Sequence, residues 1–79
     1  MGRCEKLLRR ARENPGGLTL REALSLAECY GFEHVRTRGS HHLMKRVGRR
    51  QLLNFQSRGG MAPAYQVRQL LRAIDEEHG

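Results

Sequence analysis

The residues best equipped for chemistry lie in Gly39-Ser40-His41-His42, with Lys45 and Arg46 close behind and Arg58 further along. Imidazole exchanges protons near neutral pH and is the side chain most often used as a general acid or base. RNA carries its own nucleophile, because removing the 2′-hydroxyl proton lets that oxygen attack the adjacent phosphate. One placed histidine, here His41, could drive this transesterification without a metal or a cofactor. Lys45, Arg46 and Arg58 would hold the phosphate and offset its extra negative charge, with Ser40 and His42 as further RNA contacts. Read more plainly, His41 is a strand residue hydrogen-bonded to neighbouring backbone, and His42 is a sheet residue or phosphate contact rather than a second catalyst. A metal held jointly by His41 and His42 is disfavoured: adjacent strand residues face opposite sides, and no nearby Cys, Asp or Glu completes a ligand set.

Charge points to the same class of ligand. The 79-residue chain carries a formal net charge of +7. Six Lys or Arg and five Glu nearly balance over residues 1–33, whereas residues 34–74 hold nine Lys or Arg and no acid. Asp75, Glu76 and Glu77 then close the basic stretch. A basic segment confined to part of a small domain is the footprint of a polyanion binder, although a basic surface also serves solubility. Arg36, Arg38, Arg49 and Arg50 can each be read as an RNA contact or as a solvated turn charge. No segment has the length and apolarity of a membrane span, and the start lacks the apolar stretch of a secretory signal, so a cytoplasmic location is expected. Cys4 and Cys29 stand far apart without CxxC spacing, which leads us to expect free structural thiols rather than a disulfide or a zinc site.

A chain this short makes one domain with a modest core. Cys4, Leu7, Leu8 and Ala11 recur at helical spacing up to Asn14-Pro15-Gly16-Gly17, which predicts an N-terminal helical extension over residues 1–15. Thr19-Leu20-Arg21-Glu22 fits a capping box, and Leu20, Ala23, Leu24, Ala27 and Tyr30 continue as an apolar stripe that Gly31 ends. Three short extended segments follow, Phe32 to Thr37, Ser40 to Arg46 and Gln51 to Gln56. In the third, Leu53 and Phe55 share one face while Asn54 and Gln56 share the other. Pro63 opens a last helix with Val67, Leu70, Leu71 and Ile74 inward and Gln66, Arg68, Gln69 and Arg72 outward. The expected fold is α+β, a small three-stranded antiparallel sheet with helices packed on one face, its core spanning residues 18–78. Parity leaves open which of His41 and His42 faces inward.

Gly31-Phe32, then Arg38-Gly39-Ser40-His41-His42-Leu43-Met44, resembles the signature of HicA toxins, the mRNA interferases of HicA/HicB toxin-antitoxin pairs. Asn54-Phe55-Gln56, followed by Gly60, Ala62, Pro63 and Tyr65-Gln66-Val67-Arg68-Gln69-Leu70, is similar to the third strand and final helix of one branch of that family. Lys6-Leu7-Leu8 and the loop ending at Leu18 extend the likeness over nearly the whole chain. The resemblance implies a fold like that of double-stranded RNA-binding domains, metal-independent mRNA cleavage with His41 as the catalytic residue, and neutralisation by a HicB-type antitoxin. It implies neither a small-molecule cofactor nor a membrane partner. One departure stands out: many members end the third strand in Pro-His, where this chain has Phe55-Gln56. The main alternative is a non-catalytic module that grips structured RNA by shape and charge. An inactive relative kept for its antitoxin contact is a third reading.

Overall fold

The computed structural model describes residues 2–48 and 50–78; Arg49, one of the four arginines weighed above, lies outside the described residues. The elements run α1 (Arg3–Glu13), a single 3₁₀ turn (Pro15–Gly17), α2 (Leu20–Cys29), β1 (Phe32–Arg38), β2 (His41–Arg46), β3 (Leu52–Gln56) and α3 (Ala64–His78). The strands form one antiparallel sheet in the order β1-β2-β3. This is the α+β arrangement expected from the sequence. Among the described residues, no helix is long and apolar enough to cross a membrane.

Local chemistry accounts for the boundaries. The Thr19 hydroxyl accepts from the Glu22 amide at 3.1 Å and the Glu22 carboxylate accepts from the Thr19 amide at 2.9 Å, the reciprocal box that starts α2. Gly31 follows the C-cap of α2 with φ of 94°, a left-handed conformation that glycine adopts without a Cβ penalty. Between β1 and β2 the chain reverses in two residues: Gly39 has φ of 60° whereas Ser40 has no positive φ. That pairing suits a type II′ hairpin turn, with glycine in the first central position.

The core lies between the sheet and the helices. Leu26, Ala27, Phe32, Met44, Leu53, Phe55, Val67, Leu70 and Ile74 are all buried in it. Helix α2 packs on β1 and β3, α3 packs on β3, and α1 packs on α2 and α3, to which it brings buried Leu7 and Ala11. Two ion pairs tie α1 down, Arg10 to Glu22 on α2 and Arg12 to Asp75 on α3 at 2.6 Å. The guanidinium of Arg10 and the Thr19 amide hold the Glu22 carboxyl below its ordinary pKa. Both pairs are substantially exposed, so each adds little to stability.

Three expectations need correction. Cys4 and Cys29 are not free thiols but form a disulfide, with Cα atoms 5.8 Å apart. The reason is topological. Helices α1 and α2 form a hairpin about the 3₁₀ turn, which brings the start of one beside the end of the other. Gln66, expected to face outward, is 2% exposed, and its Oε1 accepts from the Gln56 amide at 2.8 Å, so it anchors the end of β3 to the first turn of α3. Arg46, expected to contact phosphate, is 4% exposed. It shares the helix-facing side of β2 with Met44, two residues earlier. Its guanidinium lies 4.9 Å from the Phe32 ring centroid and donates at 3.0 Å both to the Ala73 carbonyl on α3 and to Gln51 Oε1. Arg46 therefore braces the sheet against α3 and is in no position to meet RNA.

Two outcomes follow for stability. Closing a 25-residue loop is worth about 3 kcal/mol through restriction of the unfolded chain. The double variant Cys4→Ser/Cys29→Ser should melt more than about 10 °C below the oxidised protein, and a reductant should lower the melting temperature of the parent but not of the variant. Arg46→Ala should cost about 2–4 kcal/mol in urea unfolding, because it opens a cavity beneath Phe32 and removes the hydrogen bonds to Gln51 Oε1 and the Ala73 carbonyl. Arg46→Met, which fills the space without a buried charge, should cost much less.

Candidate RNA-contacting site on the open sheet face

Residues directly opposite one another in an antiparallel sheet share a face, so the register assigns every strand side chain. Met44 is buried and pairs with His34 and Leu53; His42 pairs with Thr37 and Phe55; Arg46 pairs with Phe32. These rows form the side the helices cover. On the other side, Arg38, His41 and Gln56 make one row, Arg36, Leu43 and Asn54 the next, and Glu33, Lys45 and Leu52 the last. Most of this second set is exposed and none of it is buried. The question left open by parity is thereby answered: His41 is on the open face and His42 on the covered one.

His41 is the first residue of the central strand, flanked by Arg38 on β1 and Gln56 on β3. The side-chain amide nitrogen Nδ2 of Asn54, diagonal to it on β3, lies 3.0 Å from His41 Nδ1. An amide nitrogen donates, so Nδ1 accepts and the neutral ring carries its proton on the outward Nε2. Turning the Asn54 amide over would present its carbonyl to Nδ1–H instead and leave Nε2 as the outward base. Arg38 and Arg36 place two cations on the same face, in the row of His41 and the next one.

The other residues singled out from the sequence divide by position. Ser40 is exposed in the hairpin turn beside His41. Lys45 is exposed on the open face, but four residues along an extended strand put it about 13 Å from His41, too far to serve the same phosphate. Arg58 is exposed in the connection from β3 to α3, at the end of the sheet where β2 begins. That connection is firmly held: Arg58 and Met61 exchange backbone hydrogen bonds at 2.9 and 3.0 Å, and Ala62 donates to the Leu18 carbonyl at 3.0 Å. His42 is half-buried on the opposite face, near Thr37 and His34. Arg46 is inside.

Asn54 was missed as a site residue. Its signal was available in the alternation of β3, which put Asn54 and Gln56 on the free side. Arg36 and Arg38, weighed only as turn charges or single contacts, turn out to be the cations nearest His41 in the sheet. Among the described residues, no group of three or more His, Cys, Asp or Glu side chains is arranged to hold a metal ion. His41 and His42, on opposite faces, cannot chelate one together. No protein-family model, curated protein or solved structure matches this chain.

Proposed function

We propose that this protein is a HicA-like toxin ribonuclease, which binds mRNA across the open face of its sheet and cleaves it with His41 as general acid or base. The observation that carries the reading is the setting of His41: exposed on the uncovered face, its Nδ1 met by Asn54 and its neighbours on β1 the cations Arg38 and Arg36. It rests also on the resemblance of Arg38-Gly39-Ser40-His41-His42-Leu43-Met44 to the HicA signature. In this reaction the Asn54 amide turns its carbonyl toward Nδ1–H, His41 Nε2 takes the 2′-hydroxyl proton, the 2′-oxygen bonds to phosphorus, and the 5′-oxygen leaves. The proton returned to that oxygen comes from the imidazolium or from water. Arg38 stabilises the charge that builds on the phosphoryl oxygens, the task for which a guanidinium fork is suited. Ser40 and Arg58 extend the contact at the same end of the sheet, and Lys45 meets a more distant phosphate.

The reading includes a cytoplasmic location, against which the Cys4–Cys29 disulfide counts because such bonds are rare in that compartment, a HicB-type antitoxin that masks the basic face, and the likeness to double-stranded RNA-binding domains. One observation favours the non-catalytic alternative. Gln56, the position where many family members carry a second histidine, stands directly opposite His41. Any contribution the family draws from that second histidine is thus missing here.

His41→Ala should reduce cleavage by roughly 10²-fold to 10⁴-fold and leave RNA affinity nearly intact. Products should carry a 2′,3′-cyclic phosphate and a 5′-hydroxyl, form equally well with a chelator present, and fail to appear from a substrate with a 2′-deoxy position at the cut. Cleavage of that deoxy substrate would rule out the internal attack, and binding without cleavage by purified, antitoxin-free protein would establish the binder instead.

Binding should also depend steeply on salt. Three or four single-strand phosphate contacts give a slope of about −2 to −3 in log K against log salt. Arg36→Ala and Arg38→Ala should each flatten that slope by about 0.7, whereas Arg72→Ala on α3 should not.

A further inference from the structure

His34, Thr37 and His42 meet at a corner of the covered side of the sheet that the helices leave accessible. Residues three apart on a regular strand point to opposite faces. Here the register of β1 shifts between His34 and Arg36, a bulge at Val35 that returns Thr37 to the side of His34. Bulges are one way a strand re-aims a side chain. The outcome is a convergent set. His34 Nε2 lies 2.8 Å from Thr37 Oγ1, His42 Nδ1 lies 3.3 Å from the same oxygen, and the ring centroids are 5.7 Å apart. None of the three takes part in the chemistry ascribed to His41, which is on the other face.

We infer that His34 Nε2 and His42 Nδ1 form a binding site for one divalent first-row transition ion of the zinc, nickel or copper class. An ion seated between the two rings would take the place of Thr37 Oγ1, with that side chain turned aside, and the ring nitrogens, now 2.8 and 3.3 Å from the oxygen, would close to about 2.0–2.1 Å from the ion. Neutral imidazole is the ligand these ions favour among protein nitrogens. A hydroxyl donates only one proton, so between two neutral rings Thr37 donates to one and accepts from the other; it holds both in the facing orientation, and the ring that donates to it ligates the ion after its proton moves to the far ring nitrogen. With two neutral protein ligands the ion keeps its full double charge, and its remaining positions suit water or an anionic oxygen. The cross-strand position also gives the ion a structural effect, since it would clamp the bulged edge strand β1 to β2.

The test is titration of the full chain with zinc chloride and nickel chloride in a non-chelating buffer, followed by calorimetry and by the ring resonances of the histidines. One equivalent should bind, and paramagnetic nickel should broaden the rings of His34 and His42 before that of His41. His34→Ala and His42→Ala should each weaken binding by more than about tenfold, Thr37→Val by about tenfold, and His41→Ala not at all. The metal should raise the melting temperature of the parent but not of the two histidine variants. Absence of saturable binding overturns the inference, as does binding that survives both variants or nickel broadening centred on His41. RNA cleavage by His41 needs no ion, so neither result bears on that reading.

Discussion

Burial of Met44 against the helices sets the facing of the central strand, because side chains alternate along an extended backbone. With Met44 inside, His42 and Arg46 must lie on the helix side, and His41, Leu43 and Lys45 on the open one. The two outer strands follow by register. The row of Arg38, His41 and Gln56, and the placement of Asn54 diagonal to His41, are consequences of one apolar residue finding its place between Leu53 and the helices. The hydrophobic effect thus decides which of two adjacent histidines meets solvent and which meets the edge of the core, although both are polar and neither drives folding.

The supports around that strand have different chemical origins and act on both ends of the sheet. Gln66 reaches from α3 to the backbone of Gln56, and the segment Gly60–Ala62 pairs with Leu18–Leu20. These bonds fix the close of β3 beside the opening of β2. At the far end Arg46 joins β2 to the C-terminal half of α3 through the Ala73 carbonyl. A charged residue is tolerated there because an aromatic face, a backbone oxygen and the Gln51 side chain replace part of the water it gives up. Apart from the Asn54–His41 contact, the supports named for the open face are made on the other side.

Much of this could be read from residue order. The capping box at Thr19, the left-handed Gly31, the alternation in β3 and the apolar stripe of α3 are local signals, and local rules decode them. What escaped was decided by contacts between distant segments. The Cys4 to Cys29 bond depends on two helices folding back on each other, which a separation of 25 residues does not reveal. Arg46 and Gln66 look like surface residues by type, and only their partners across the core reverse that; for Arg46 the two-residue spacing from Met44 was a usable hint. The bulge at Val35 has no glycine or proline to announce it, so the meeting of His34, Thr37 and His42 was invisible. Asn54 was visible by face but had no stated role until His41 was placed beside it.

The two-residue turn at Gly39-Ser40 has an evolutionary corollary. Substitutions on the open face alter one corner of the surface at a time, and an added residue in the turn can be absorbed as a longer loop. A residue lost between His42 and Met44 cannot be absorbed in that way. Either Met44 leaves the interior, or the two histidines exchange sides and His41 turns toward the helices. Lineages carrying this domain should accordingly record abundant replacement of exposed side chains beside a β2 segment of nearly invariant length, with any tolerated insertions gathered in the hairpin.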